Sequence, residues 1–496
     1  MGTVYFTSNP ADYETLEQLY ITEKSPPGFV RGADLSVTGI FTKTVRGPLT
    51  PQIITSVARM LEVYGPRDVV AGGALYNELY RCLLGKPFGT MVVRRVAAAG
   101  ATAATVTLSM FLKIDASSVG IWGNGITASV ENASDGNANH FNLRIKWRSE
   151  QALFENLNIF GAGDDNLRLT TGDDVGVLVT LTKMAAGRPV NVADTPLTGG
   201  SDGAVAATDY IDGLTDIAAF RGISTVICPE SLESVVAGGA QATLNAAIVA
   251  AAPQAVDRVF MTWDGLPANT PAQTLTALDA QITTKSDRIV WCYNAAKVLD
   301  SATGLNVECG PHVFLASIRS QNDVDVHAGS VDGKKQLAGI RELRNSTISR
   351  GDLVLLRAKG VSTLVADESF GGLGTTREGF SYQSVVTTDL TPGKTELTRR
   401  VMADFILLSL ADRLRFFVKQ KNTIEKRAQM QAECIAFLST LKSQNRVVEN
   451  FAILEGSTKV DRSKGIEKII LRVDLVDHLL HLVLEAEIGT GVVIES

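Results

Sequence analysis

The most informative features of this chain are the ones it lacks. No run of eighteen apolar residues occurs, so no membrane-spanning helix and no direct membrane insertion are expected. There is no basic excess either: 47 Lys and Arg face 53 Asp and Glu, a net charge of −6 without runs of like charge. Nucleic-acid binders carry a basic stripe, so nucleic acid is not an expected partner. Cysteine is scarce and odd in number, five residues with no C-x-x-C pair. Cys82 and Cys228 lie in apolar settings that read as buried, and no disulfide framework within the chain is expected. His140, His312, His327, His478 and His481 show neither H-x-x-x-H nor H-E-x-x-H spacing. His478 and His481 are three apart in strand-like sequence and so fall on opposite faces; no metal site is expected. The opening MGTVYFTSNPADYETLEQLY has no basic n-region and no apolar h-region, so no secretory signal is expected. Phe6 stands where the myristoylation pattern needs Ser or Thr.

Enzyme signatures are missing in the same way. Gly199-Gly200-Ser201-Asp202-Gly203 spells G-x-S-x-G, but ADTPLT precedes it and AVAAT follows, where a nucleophile elbow needs a strand and a helix. It reads as a flexible linker turn. GGLGTTREG (Gly371 to Gly379) lacks the G-K-[ST] ending of a phosphate loop and reads as a mobile loop. Asp164-Asp165 and Asp173-Asp174 fit no EF-hand and read as exposed turn carboxylates. No G-x-G-x-x-G opens the α/β section. No catalytic residue and no cofactor are expected.

What is present is material for several cores: 496 residues, 45% hydrophobic and 20% charged. Residues 1–24 form a polar arm ended by SPPGF, with Thr3, Val4, Tyr5 and Phe6 of strand composition. Residues 25–96 read as strand, helix, helix, strand; TSVARMLEVYGP is a helix capped at Thr55 or Ser56 and closed by Gly65. Over 97–200 short alternating strands separated by turn residues predict an all-β domain. From 201 to 347 the apolar runs STVICPE, RVFMTW, DRIVWCYN and HVFLASI alternate with helical stretches, which predicts a mainly parallel sheet. The section 348–480 carries two long helices, about 396–419 and 424–442, and then a strand at about 468–476 expected to complete the chain's own core sheet. Residues 481–496 hold a second alternating segment: Leu482, Leu484, Ala486 and Ile488 against His481, Glu485 and Glu487, with Val483 between.

Several motifs, in order, resemble contractile tail sheath proteins of bacteriophages and related contractile injection particles. They are TGIFTKTVRGPLTPQIITSVARMLEVYG near the start, GIWGNGITASVEN with FNLRIKW and EQALFENLNI, LTGGSDGAVAATDYIDGL, and the closing two helices with two strands. The resemblance implies a multi-domain α/β and all-β chain. Its tube-facing α+β module would combine 25–96 with 348–480, and the β-rich domain (97–200) and α/β domain (201–347) would be insertions. It further implies a structural, non-enzymatic subunit that stacks as six-fold rings around a tail tube, with baseplate and tail terminator proteins as further partners. Contraction would drive the tube through a target envelope, in a virion assembled in the host cytoplasm. Together with the end-strand pattern it marks Thr3, Val4, Tyr5 and Phe6, and His481 through Ile488 (His481, Leu482, Val483, Leu484, Glu485, Ala486, Glu487, Ile488), as strands lent to neighbouring subunits. The alternative for either segment is an ordinary edge strand or tail. In released particles Cys292, Cys309 or Cys434 could bridge subunits, against the plainer reading of buried thiols. Another virion shell protein, or an enzyme using the α/β domain, are the competing functions.

Overall fold

Val4–Phe6 (β1) and Leu19–Ile21 (β2) pair in parallel, Val4 opposite Leu19 and Phe6 opposite Ile21. They belong to the computed structural model of the chain, which describes residues 4–6, 19–21, 35–65, 90–159, 178–230, 232, 239–255, 257–299, 306–330, 337, 340–368, 377–444 and 447–476. Two compact units make up the chain: Ala33–Asp404, and Met1–Gly32 together with Phe405–Ser496.

In the unit Ala33–Asp404, TGIFTK forms β3 (Thr38–Lys43), buried at all but its last residue. Then come β4 (Gln52–Ile54), α1 (Val57–Tyr64) and β5 (Met91–Val96). The bounds of α1 are set by local chemistry, as the sequence suggests. The Ser56 side chain accepts from the Arg59 N–H at 3.1 Å, and Gly65, at φ +80°, donates its N–H to the Leu61 carbonyl.

The β-rich domain follows: β6 (Thr105–Leu108), β7 (Leu112–Ala116), β8 (Ile126–Asn132), β9 (Phe141–Trp147), β10 (Glu150–Leu157), β11 (Val179–Lys183) and β12 (Val192–Pro196). They form two sheets, β10-β9-β8-β12 and β11-β7-β6. Alternation builds the core: Leu112, Ile114 and Ala116 of β7 and Phe141, Leu143, Ile145 and Trp147 of β9 are buried in one cluster. The β6–β7 turn is made by Ser109 and Met110, both with positive φ (50° and 58°). Neither side chain suits that conformation, which favours Asn and Gly. The change Met110→Gly, which leaves the Val190 N–H bond to Ser109 Oγ (3.1 Å) intact, is expected to raise stability by about 1 kcal/mol, read as a shift in the urea midpoint at constant slope.

The chain continues through α2 (Ala207–Ala219), β13 (Thr225–Ile227), α3 (Ala240–Ala251), β14 (Val259–Thr262), α4 (Pro271–Gln281), β15 (Ile289–Tyr293), β16 (Ala296–Leu299), β17 (Asn306–Cys309), α5 (Pro311–Gln321), β18 (Ile340–Leu343), α6 (Arg350–Ala358), β19 (Val361–Glu368) and β20 (Arg377–Ser384). An eight-stranded sheet runs β20-β19-β15-β14-β13-β3-β5-β4. Its six inner strands are parallel and its two edges antiparallel. The sheet therefore crosses the expected borders at 96, 200 and 347. β3 and β5 are apolar over almost their whole length and need partners that cover both faces, which β13 to β15 and their helices provide.

One apolar run departs from expectation. HVFLASI is read from sequence as a strand, but it lies in α5, packed against β13, β14 and β15. Pro311 sits in the first turn, and residues from His312 to Ser320 are buried almost without interruption. A helix buried on all sides has no polar stripe, so its periodicity cannot be told from that of a buried strand.

From Leu397 the long helix α7 (Leu397–Leu414) leads into the second unit, where α8 (Ile424–Gln444), β21 (Val448–Glu455), α9 (Lys459–Ser463) and β22 (Ile469–Leu475) follow. Cys434, Phe437, Leu438 and Leu441 form the buried face of α8, which packs on β21. β22 falls within the expected 468–476. It pairs antiparallel with β21 in a separate two-stranded sheet, not in the large one. Phe451, Ile453, Leu471 and Val473 share the half-buried face of this hairpin, while Ile470, Arg472 and Asp474 are exposed.

Candidate functional site

In doubly wound sheets, ligands bind beyond the carboxyl ends of the strands, where the winding order reverses. Here the parallel strands run β5-β3-β13-β14-β15-β19, and the reversal lies between β3 and β13. That crevice is filled by the chain itself. Glu230, 3% exposed and just past β13, accepts from Thr42 Oγ1 at 2.6 Å, from the Lys43 N–H at 2.5 Å and from the Tyr210 hydroxyl. Burial first, and then the Glu230 charge, push the Tyr210 hydroxyl well above its usual pKa, so it stays a donor. A carboxylate carried past the end of β13 and bonded to the end of β3 and to Tyr210 in the first turn of α2 stands where a ligand anion normally sits. Among the described residues no group of three or more His, Cys, Asp and Glu could hold a metal ion, and no helix is long and apolar enough to cross a membrane.

The richest polar constellation lies where the β-rich domain joins the sheet. Arg46, just past β3, is 1% exposed; its guanidinium lies 4.5 Å from the Trp147 ring centre and 5.9 Å from that of Trp122. The two indoles meet edge to face, with centroids 5.5 Å apart. Arg46 donates to the Glu62 carbonyl at 2.9 Å and to Glu150 at 3.1 Å. Next to it, Arg95 at the end of β5 is 3% exposed and donates to the Gly47 carbonyl at 3.3 Å. Burial lowers the Arg95 pKa to about 10, against the pull of Asp202, and it remains a cation at neutral pH. Asp202 accepts from the Ile121 N–H at 2.9 Å, and Asn124 grips Gly200 at both its N–H and its carbonyl, at 2.8 and 2.9 Å.

Three stretches that read as unconnected motifs in the sequence thus converge: the Arg46-Gly47 turn, the 120–125 turn and the 199–203 linker. The expected flexible turn at Gly199 to Gly203 is a correction. Thr102 and Ser201 exchange backbone hydrogen bonds at 2.9 and 3.0 Å, as do Thr105 and Thr198 at 2.8 and 3.1 Å, which zips both connections of the domain together. The glycines serve close approach as well as flexibility: a Cβ on Gly200 would lie 2.5 Å from the Gly120 carbonyl oxygen. Arg46 and Glu230 went unnoticed in the sequence because key partners, Trp147 and Glu150 for Arg46 and Thr42 and Lys43 for Glu230, lie more than 100 residues away; the W-G-N and G-G-x-D-G pairing was the available signal.

Of the residues marked as inter-subunit strands, Val4, Tyr5 and Phe6 are in β1, paired with β2; Thr3 and His481 through Ile488 lie outside the described residues. Cys82, Asp164, Asp165, Asp173, Asp174, His478 and most of the 371–379 loop also lie outside them. Cys292, Cys309 and Cys434 are buried, at 1%, 2% and 0% exposure, so a bridge between subunits would require local opening. Burial raises the Cys434 thiol to about 11 and Cys292 further still, which keeps both protonated and unreactive.

His312 carries a pH dependence. Fully enclosed at 1% exposure, it stacks on Trp263 with ring centres 5.7 Å apart, and its Nε2 lies 2.8 Å from the Cys228 carbonyl, so Nε2 bears the proton. Burial lowers its pKa from 6.5 to about 4. Between those values the unfolded chain binds the proton first, so stability is full above pH 6.5, falls as pH drops toward 4 and levels off below. The loss is about 3 kcal/mol at most. In His312→Gln the difference between unfolding free energies at pH 7 and pH 4.5, from denaturant titrations, should shrink by most of that amount; an unchanged difference would show that His312 does not carry it.

The chain's mixed α/β fold is similar to that of solved contractile tail sheath proteins. The chain matches the solved sheath tail protein of Listeria innocua with TM-score 0.61 and 14% identity, over 90% of this chain and 97% of that one. The sheath tail protein of Desulfitobacterium hafniense matches with TM-score 0.56 and 18% identity, over 93% and 100%. The helical sheath of the anti-feeding prophage in its contracted state matches with TM-score 0.54 and 11% identity, over 95% and 99%. No protein-family model and no curated protein matches the sequence.

Proposed function

We propose that this chain is the structural subunit of a contractile tail sheath. Copies stack as six-fold rings around a tail tube, between a baseplate and a terminator, and shift from a long to a short state that drives the tube through a target envelope. The particle is a virion tail or a related injection device, assembled in the host cytoplasm. The observation that carries this reading is the extent of the shared fold, which spans at least nine-tenths of this chain and nearly all of each sheath protein. The Glu230-filled crevice supports it too, since the usual ligand position of such a sheet is taken up by the chain's own hydrogen bonds.

In this reading the strands at Thr3 to Phe6 and His481 to Ile488 join sheets of neighbouring copies, and main-chain hydrogen bonds hold the lattice while the subunits turn. The β21–β22 hairpin suits such addition, because among the described residues it is a two-stranded sheet with both outer edges unpaired. Negative-stain electron microscopy of the purified assembly is the test. Hollow cylinders of two lengths and widths are expected; closed shells would make the chain another kind of virion protein.

A further inference from the structure

We propose that the joint built from Arg46, Arg95, Asn124 and Asp202 is a mechanical lock, which makes the β-rich domain and the eight-stranded sheet one rigid body. An inserted domain on two connections of small residues, one alanine-rich and one glycine-rich, usually moves independently of its host. Here each source of that freedom is removed.

The two connections are zipped to each other through Thr102–Ser201 and Thr105–Thr198, so neither can swing alone. Arg46 leaves the sheet and lies against the paired indoles of the β-rich domain, where it donates to Glu150 of β10 and to the Glu62 carbonyl. A cation held by hydrogen bonds to two partners and by contact with two aromatic rings resists sliding. Arg95 ties the end of β5 to the Gly47 turn, and the Gly47 N–H donates to Ser118 Oγ of the β-rich domain at 3.0 Å. Gly120, at φ +126°, also passes through a tight point: a Cβ there would meet Asp202 Oδ1 at 2.8 Å and the Arg95 guanidinium at 3.1 Å. That fit leaves no room for a hinge.

The lock is a property of the folded subunit. Only its use, to pass force from the sheet to the β-rich domain during contraction, rests on the sheath reading. A chain that forms no cylinders would leave the lock intact, and a chain without the lock could still form them.

Hydrogen exchange of the full-length chain, followed by mass spectrometry, tests it. Asn124→Ala removes the grip on Gly200, Glu150→Gln weakens the hold on Arg46, and Arg46→Met removes the cation at similar volume. Ile289→Val in the central strand β15 serves as a general destabiliser. In the three lock variants, amides at 98–105, 118–125 and 196–204 should exchange about tenfold faster, while those of β13, β14 and β15 stay within about twofold of the parent. In Ile289→Val the two sets should rise together. The proposal is overturned if the lock variants show the Ile289→Val pattern or no change. Asn124→Ala and Glu150→Gln leave the buried guanidinium in place, so the result stands on them if Arg46→Met does not fold.

Discussion

Asp404→Ala is expected to destabilise the unit Ala33–Asp404 by about 3–5 kcal/mol, the largest single-residue effect anticipated in the chain. Asp404 is 3% exposed and lies between two guanidiniums. Arg288, 4% exposed, donates to Oδ2; Arg400, 2% exposed and one turn earlier in α7, donates to Oδ1 at 2.8 Å. Arg400 also reaches Asp287 at 3.1 Å, and the buried Arg319 is close enough for Asp404 to raise its pKa against burial, which brings it down to about 10. Removal of this carboxylate leaves two arginines enclosed with half their compensation gone, and neither can shed its proton. Asp404→Asn keeps the shape and loses the charge, and should recover little. A triple change to apolar residues (Arg288→Met, Arg400→Met, Asp404→Leu) should recover more than half of the loss, because the cost lies in buried cations deprived of this carboxylate and not in a missing attraction. Urea unfolding of the four chains decides the matter; a cost below 1 kcal/mol for Asp404→Ala would mean that water reaches the cluster.

Features of this fold can be read in the sequence to the extent that they have local causes. The bounds of α1 follow from Ser56 and Gly65, adjacent to the helix they close. β13, β14 and β15 follow from apolar runs of strand length, and the β-rich domain from alternation in β7 and β9. α5 was not legible, because a helix buried on every side shows no stripe. The membership of β3 and β5 in the same sheet as β13 was equally hidden: pairing Thr38 with Thr225 spans the whole β-rich insertion, and no local pattern encodes a partner at that distance. The lock was half visible. W-G-N and G-G-x-D-G both stood out, but the hydrogen bonds of Asn124 to Gly200 that join them depend on the insertion having folded back on itself. A glycine-rich linker looks flexible in sequence and becomes rigid only when its backbone groups find partners.

Deletion of residues 481–496 should leave a folded, monomeric chain that forms no cylinders. The hairpin of the second unit is complete without them: Val448 already pairs with Leu475, and the Val476 N–H donates to the Val447 carbonyl at 3.1 Å. Circular dichroism and the melting midpoint should therefore stay near those of the parent. Assembly is another matter under the proposed function. A strand such as 481–488, added to a neighbour's edge, makes about four to eight main-chain hydrogen bonds, each worth about 1 kcal/mol net. Loss of even 4 kcal/mol per joint raises the concentration needed for assembly by about a thousandfold. Leu484→Pro separates pairing from mere length: it keeps every residue of the segment but removes a donor and blocks the ladder at its centre. If both chains sediment as monomers where the parent forms cylinders, the segment acts by backbone pairing. If Leu484→Pro assembles and the deletion does not, side-chain contacts hold the joint; if the deletion itself assembles normally, the strand is not lent to a neighbour at all.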